Sequence, residues 1–166
     1  MNHIFRTLLL FSSICVLLGG CKKDDTIEGL KVPRLMIESR GVSYGSLTGE
    51  TIVLPVSGTR IQLQKEPLVN EFEIMNIELV EVDMGMALLL QLSERGAREL
   101  YRGSVTNMGG RIVLTVNGNP IGARRIDGAI QDGNFYTFAE VDEAELGALV
   151  LDLRESLSEL RELKNK

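Results

Sequence analysis

The dipeptide Asn117-Gly118, set between two apolar runs, constrains the fold of this chain more than any other feature. Asn and Gly accept the positive φ that both central positions of a type I′ turn require, and the twist of that turn matches two adjacent antiparallel strands. The spacing predicts a hairpin with strands over residues 111–116 and 121–126. The same reasoning predicts a hairpin over 51–56 and 60–64 around Ser57-Gly58, and another over 77–82 and 86–92 around Met84-Gly85. Pro55 donates no hydrogen bond and is easiest to place on an edge strand. A first strand is read over 35–38, and a last over 134–138 after turns at Asp127-Gly128 and Asp132-Gly133.

In residues 77–82 the apolar phase slips between Leu79 and Val80, which predicts a bulge or a strand buried on both faces. Residues 86–90 are continuously apolar, as in a covered central strand. Ser93 is placed to cap a helix whose apolar positions are Ala97, Leu100, Tyr101, Val105 and Met108, stopped by Gly109-Gly110. Asp142-Glu143-Ala144-Glu145 opens a second helix with the stripe Leu146, Val150, Leu153, Leu157 and Leu160. Its charged end, residues 155–166, is expected to project or fray. Hairpins mixed with two helices give an α+β class: a mostly antiparallel sheet, two helices on one face and an N-terminal hairpin region.

The amino end carries an address. Arg6 precedes an apolar run over residues 7–18, followed by Leu18-Gly19-Gly20-Cys21. That run is roughly 18 Å long as a helix, too short for a hydrocarbon core of about 30 Å. It reads as the apolar region of an export signal, and the four residues ending in Cys21 resemble the lipobox of bacterial lipoproteins. The expected organisation is a signal over 1–20, a tether over 21–33 that starts at a lipidated Cys21, and one domain over 34–166. The tether would hold the domain on the order of 20 Å from the membrane. Lys22, where an Asp would favour retention in the inner membrane, leans towards the outer membrane, facing the periplasm.

Removing Arg6 with the signal takes the formal net charge from −5 to −6. An acidic domain lacks the electrostatic footprint of a nucleic-acid partner. Cys15 and His3, the only histidine, also lie in the signal, so the mature chain has no histidine and no thiol beyond Cys21. The usual general base and the usual ligands for zinc and haem are therefore missing, and no cofactor is expected. Nothing in the sequence sets an oligomeric state.

Several motifs tempt. Gly41-Val42-Ser43-Tyr44-Gly45 matches a nucleophile elbow, but Ser43 has no histidine to take its proton and no amphipathic helix after it. The segment Gly45 to Thr51 has Glu50 where a phosphate loop needs lysine. Asp127, Asp132 and Asn134 carry oxygen ligands but lack calcium-loop spacing, and turn formation accounts for them. Arg95, Arg98 and Arg102 share one helix face, either as a solvated surface or as a partner-binding surface for an acidic protein. The C-terminal leucines suit core packing or a coiled-coil seam.

From about Leu88 to Leu153 the order of signals resembles the periplasmic head region of SecD, a subunit of the bacterial protein-export machinery. That region runs strand, Thr/Ser-x-x-Gly-Ala opening a helix, Thr-x-Asn-x-Gly, an apolar strand, a tight turn and a further strand, ending in a helix rich in Glu and Ala. Here the matching residues are Leu88 to Ala97, including Ser93-Glu94-Arg95-Gly96-Ala97, then Thr106-Asn107-Met108-Gly109-Gly110. Ile112-Val113-Leu114-Thr115-Val116-Asn117-Gly118, Ile121-Gly122-Ala123-Arg124, Asp132-Gly133 and Asp142-Glu143-Ala144-Glu145-Leu146 complete the order. Arg124 stands where the family often has Pro, and Asn117 replaces the usual Asp.

The resemblance implies a ferredoxin-like head spanning about residues 77–160, no catalytic residue, and contact with exported polypeptide. The expected function is a non-enzymatic, lipid-anchored accessory module of the cell envelope, held to the membrane by the lipid on Cys21. It would bind unfolded chains or envelope partners, with strand addition at an open sheet edge as one mechanism. The alternatives are an envelope hydrolase using Ser43 or carboxylates, and a structural lipoprotein that recruits a partner through its C-terminal helix.

Overall fold

The computed structural model describes residues 29–40 and 48–165; Cys21, Lys22 and Ser43 lie outside them. The described elements are β1 (Pro33–Ile37), β2 (Thr48–Val53), β3 (Arg60–Gln64), β4 (Ile74–Val82), β5 (Gly85–Leu92), α1 (Glu94–Thr106), β6 (Arg111–Val116), β7 (Asn119–Arg125), β8 (Asn134–Thr137) and α2 (Glu143–Lys164). A 3-10 turn at Glu71–Glu73 leads into β4. The α+β class is as the sequence predicts, and every strand pairing is antiparallel. Where the sequence suggests one main sheet, the strands divide into three sheets ordered β1-β6-β7, β2-β3 and β4-β5-β8.

The two three-stranded sheets meet where β7 approaches β8. The Glu140 N–H donates to the Ile121 carbonyl at 2.6 Å, and Arg124 donates to the Tyr136 carbonyl at 3.4 Å. Gly122 permits the approach, because a Cβ there would collide with the Phe138 carbonyl oxygen. On one side of this combined surface, Leu35, Ile77, Leu88, Leu90, Leu114 and Phe135 pack with Leu100 of α1 and with Val150, Leu153 and Leu157 of α2. Both helices thus cover one face. On the other side, Ile52, Leu54, Ile61 and Leu63 of the β2–β3 hairpin region pack on Val113 of β6. Strand β6 is buried on both faces, which explains its unbroken apolar run.

Asn117 and Gly118 have φ values of 50° and 82°, as the predicted turn requires. Asn117 does more than turn the chain: its side chain accepts from the Val32 N–H at 2.7 Å and donates to the Leu30 carbonyl at 3.1 Å. Leu30 is buried, the Lys31 N–H donates to the Ser156 hydroxyl at 2.9 Å, and the Lys31 ammonium pairs with Asp152 at 2.6 Å. Residues 30–33, which the sequence assigns to the tether, are therefore fastened to the folded domain.

Helix α1 buries a different face from the predicted one. Its inward residues are Gly96, Leu100, Gly103 and Ser104, while Tyr101, Val105 and Met108 are exposed. The glycines let the helix settle closely: a Cβ on Gly103 would stand 2.5 Å from Leu68 Cδ1. The Ser104 hydroxyl is satisfied in the interior, accepting from the Ile130 N–H at 3.0 Å and donating to the Tyr101 carbonyl at 2.8 Å.

Three smaller expectations also change. Pro55 lies beyond the end of β2, in the turn to β3, not in an edge strand. The register shift in β4 falls between Ile74 and Asn76, not at the slip near Leu79, and β4 is not covered on both faces because Val82 is exposed. The end of α2 is docked, not projecting: Arg161 donates to the carbonyls of Ile74 and Met75, and the Lys164 ammonium sits 4.6 Å from the centre of the Phe72 ring. No described helix is long and apolar enough to cross a membrane.

Candidate functional site

Strand alternation puts Phe135 and Thr137 of β8 towards the helices and turns Tyr136 and Phe138 to the opposite face. There, beside the hairpin that covers β6, the surface opens into a groove of about 580 Å³. Ala87 and Ala123 line it with side chains too small to fill it. Tyr136 and Phe138 form part of its wall, and Val82, Asp83 and Met84 from the tip of the β4–β5 hairpin reach it as well. Gly85, at φ 114°, makes that tip sharp.

Met84 is 82% exposed, and Val82, Tyr136 and Phe138 are all exposed beside it. A solvated set of large apolar side chains gathered in one depression marks a binding surface more often than a stable bare one. Methionine suits such a surface, because its unbranched, polarisable side chain adapts to partners of different shape. Two of the charges at the rim are locally answered: Arg125 lies 3.4 Å from Asp127, and Arg124 is held by the Tyr136 carbonyl, whereas Asp83 is in no ion pair among the described residues. The lining contains no histidine, cysteine or serine. Its apolar contact area comes from Val82, Met84, Ala87, Ala123, Tyr136 and Phe138.

The arginines singled out from the sequence lie elsewhere. Arg95, Arg98 and Arg102 share the exposed face of α1, as their spacing predicts, and each faces a carboxylate. Arg95 is 2.9 Å from Glu73, Arg98 is 3.7 Å from Glu94, and Arg102 is 3.2 Å from Glu99. A partner acidic enough to dock there would have to displace three internal ion pairs. Asp127 is taken up by Arg125, and Asp132 accepts from the Asn134 N–H at 3.1 Å in the turn before β8. Cys21 and Ser43 lie outside the described residues.

Sequence reasoning missed the groove. Its residues come from three separate stretches, 82–87, 123–127 and 136–138. The one local signal was Met84, an apolar residue at a hairpin tip where a polar one is the norm.

No protein-family model matches the chain, and no curated protein matches it. Solved structures do. A crystal structure of SecDF in its super-membrane-facing form matches with a TM-score of 0.57 at 19% identity, covering 76% of this chain and 19% of that one. A second structure, of the membrane component SecDF that enhances protein export, gives a TM-score of 0.57 at 19% identity, covering 82% of this chain and 70% of that one. The chain thus spans about a fifth of the length of the first protein. With the three antiparallel sheets and two helices described above, these matches identify the architecture as a SecD-like α+β fold.

Proposed function

We propose that this chain is a non-enzymatic, lipid-anchored accessory module of the bacterial cell envelope that uses its SecD-like fold to contact exported or unfolded polypeptide. The observation that carries the reading is the convergence of Val82, Met84, Tyr136 and Phe138 on one groove of that fold. An unfolded chain offers aliphatic and aromatic side chains in no fixed order, and a groove walled by Val82, Met84, Tyr136 and Phe138 accommodates them without demanding one sequence. The anchor is the lipid on Cys21, with the periplasmic side of the outer membrane favoured by Lys22. The arginine face of α1 remains a second docking candidate, for an acidic envelope protein.

The test is site-specific photo-crosslinking from position 84 to a reduced, unfolded secretory precursor, with Phe138→Asp as the impaired variant. Crosslinks at Met84 that fall at least fivefold in Phe138→Asp support the reading. Equal yields in both proteins, or no crosslink to any precursor, end it. Cys21→Ser should release the protein from membranes, and a variant that is still cleaved and membrane-bound would remove the anchor from the proposal.

A further inference from the structure

Strand β4 is the outermost strand of the β4-β5-β8 sheet, and its register shows which of its backbone groups are free. The hairpin closes on the pair Val82–Gly85 around a two-residue loop, Asp83-Met84. Such a closing pair exchanges both backbone hydrogen bonds, and so do alternate pairs behind it, here Val80–Ala87 and Glu78–Leu89. The N–H and C=O groups of Ile77, Leu79 and Glu81 therefore face away from β5, and no backbone group of another described segment bonds to them; Ile77 is fully buried, so the groups open to an added strand are those of Leu79 and Glu81. The far edge of the fold is different: β1 is closed by Leu35 and Val69, whose N–H groups each donate to the other's carbonyl, at 2.9 and 3.2 Å. At the amino end of β4, Arg161 caps the Met75 carbonyl while its own Nε–H is buried without an acceptor.

The charges along this edge narrow the occupant. Glu78, Glu81 and Asp83 lie on β4 and its loop with no lysine or arginine among residues 74–84, and none of the three is in an ion pair among the described residues. Between the two glutamates stand Leu79 and Val80, one on each face of the strand. In an added strand, the residues opposite Glu78 and Glu81 meet carboxylates at cross-strand distance, and those opposite Leu79 and Val80 meet apolar groups. The pattern reads the same in either chain direction.

We infer that β4 is a strand-addition edge for an extended polypeptide segment in which two basic residues three apart bracket two apolar ones. The inference rests on the polypeptide-contact reading above and specifies which edge and which sequence chemistry are used. Backbone hydrogen bonds from Leu79 and Glu81 supply affinity, and Glu78 and Glu81 supply the preference for lysine or arginine.

The test titrates full-length protein in detergent micelles with three labelled peptides, followed by fluorescence anisotropy. One has a Lys-Val-Val-Lys centre, one Glu-Val-Val-Glu, and one Lys-Val-Val-Lys with N-methyl groups on alternate peptide bonds. The lysine peptide should bind at least tenfold more tightly than either of the others, and Glu78→Lys with Glu81→Lys should reverse the preference for charge. N-methylation requires no change in the protein, so a misfolded variant cannot mimic the result. Equal affinity for the methylated peptide, or no change of preference in the double variant, overturns the inference. Crosslinking at position 84 separates the two proposals: crosslinks without lysine-peptide selectivity remove only the strand edge, and loss of both removes the polypeptide reading itself.

Discussion

The Glu140 carboxylate accepts a hydrogen bond from the Ser57 N–H at 2.9 Å, and the same oxygen accepts from the Val56 N–H at 2.8 Å. One side chain after β8 thus pins the turn of the β2–β3 hairpin, more than eighty residues earlier in the chain, against the main domain. Glu140→Ala should cost about 1 kcal/mol, since charge-assisted bonds are partly offset by solvent at this half-buried site. Urea denaturation measures the loss, and faster exchange of the Leu54 amide, which donates to the Thr59 carbonyl, places it at the hairpin.

Acid should loosen the same contact. Burial pushes the Glu140 carboxyl up, but the hydrogen bonds from Ser57 and Val56 outweigh it and hold the group below the usual glutamate value. Glu71 behaves likewise: burial raises it, and the hydrogen bond and charge of Arg34 more than reverse that. A carboxyl depressed in the folded state contributes stability above its unfolded pKa, near 4.3, and loses it as pH falls through the lower folded value. Denaturation midpoints from pH 7 to pH 3 should therefore fall less steeply in Glu140→Gln and in Glu71→Gln than in the parent.

Gly122→Ala should be among the most damaging small substitutions, costing about 3 kcal/mol, because the new methyl meets backbone and not a movable side chain. Amide exchange at Glu140, whose N–H crosses the seam to Ile121, should accelerate well beyond that of residues in β4. Unchanged protection at Glu140 would show that β7 and β8 do not depend on this approach.

Two substitutions at Asn117 separate its roles. Gly keeps the positive φ and loses only the bonds to Val32 and Leu30, for a cost of about 1 kcal/mol. Ala loses both the bonds and the easy left-handed backbone, for about 2 kcal/mol. Thermal denaturation should rank parent, Gly, Ala in that order; equal midpoints for Gly and Ala would make the backbone irrelevant.

The three arginines of α1 should not be equivalent. Glu73 is 7% exposed, and its carboxylate pairs with Arg95 while also accepting from the Asn70 N–H at 3.2 Å. Arg95→Ala leaves that buried charge short of its counterion and should cost about 1.5 kcal/mol. Arg98→Ala and Arg102→Ala remove pairs in open solvent and should stay within about 0.5 kcal/mol. Chemical denaturation of the three variants decides it.

What the sequence made legible follows the range of the interactions involved. The turns at Asn117-Gly118 and Gly133 are local demands for positive φ and stand where they were read, whereas the β4–β5 loop falls one residue earlier, on Asp83-Met84, with Gly85 at positive φ already paired to Val82. Ser93 also caps α1 as expected, accepting from the Gly96 N–H at 3.2 Å. The face of α1 was misread because close approach is made by absent atoms: Gly96 and Gly103 carry no hydrophobic signal, whereas Tyr101, Val105 and Met108 do. The pairing of β1 with β6 joins residues about eighty apart, which no local pattern encodes. The groove is assembled from the β4–β5 tip, β7 with the residues after it, and β8 with Phe138 after it, so no single residue announces it.

The fastening of residues 30–33 has a mechanical consequence. Any pull arriving along the chain from its amino end meets Lys31 and Val32 before it reaches the β1–β6 ladder. There the load divides between α2, through Ser156 and Asp152, and the β6–β7 turn, through Asn117. The two anchorages belong to elements far apart in sequence, so tension is spread through the body of the domain and does not begin by peeling away its first strand.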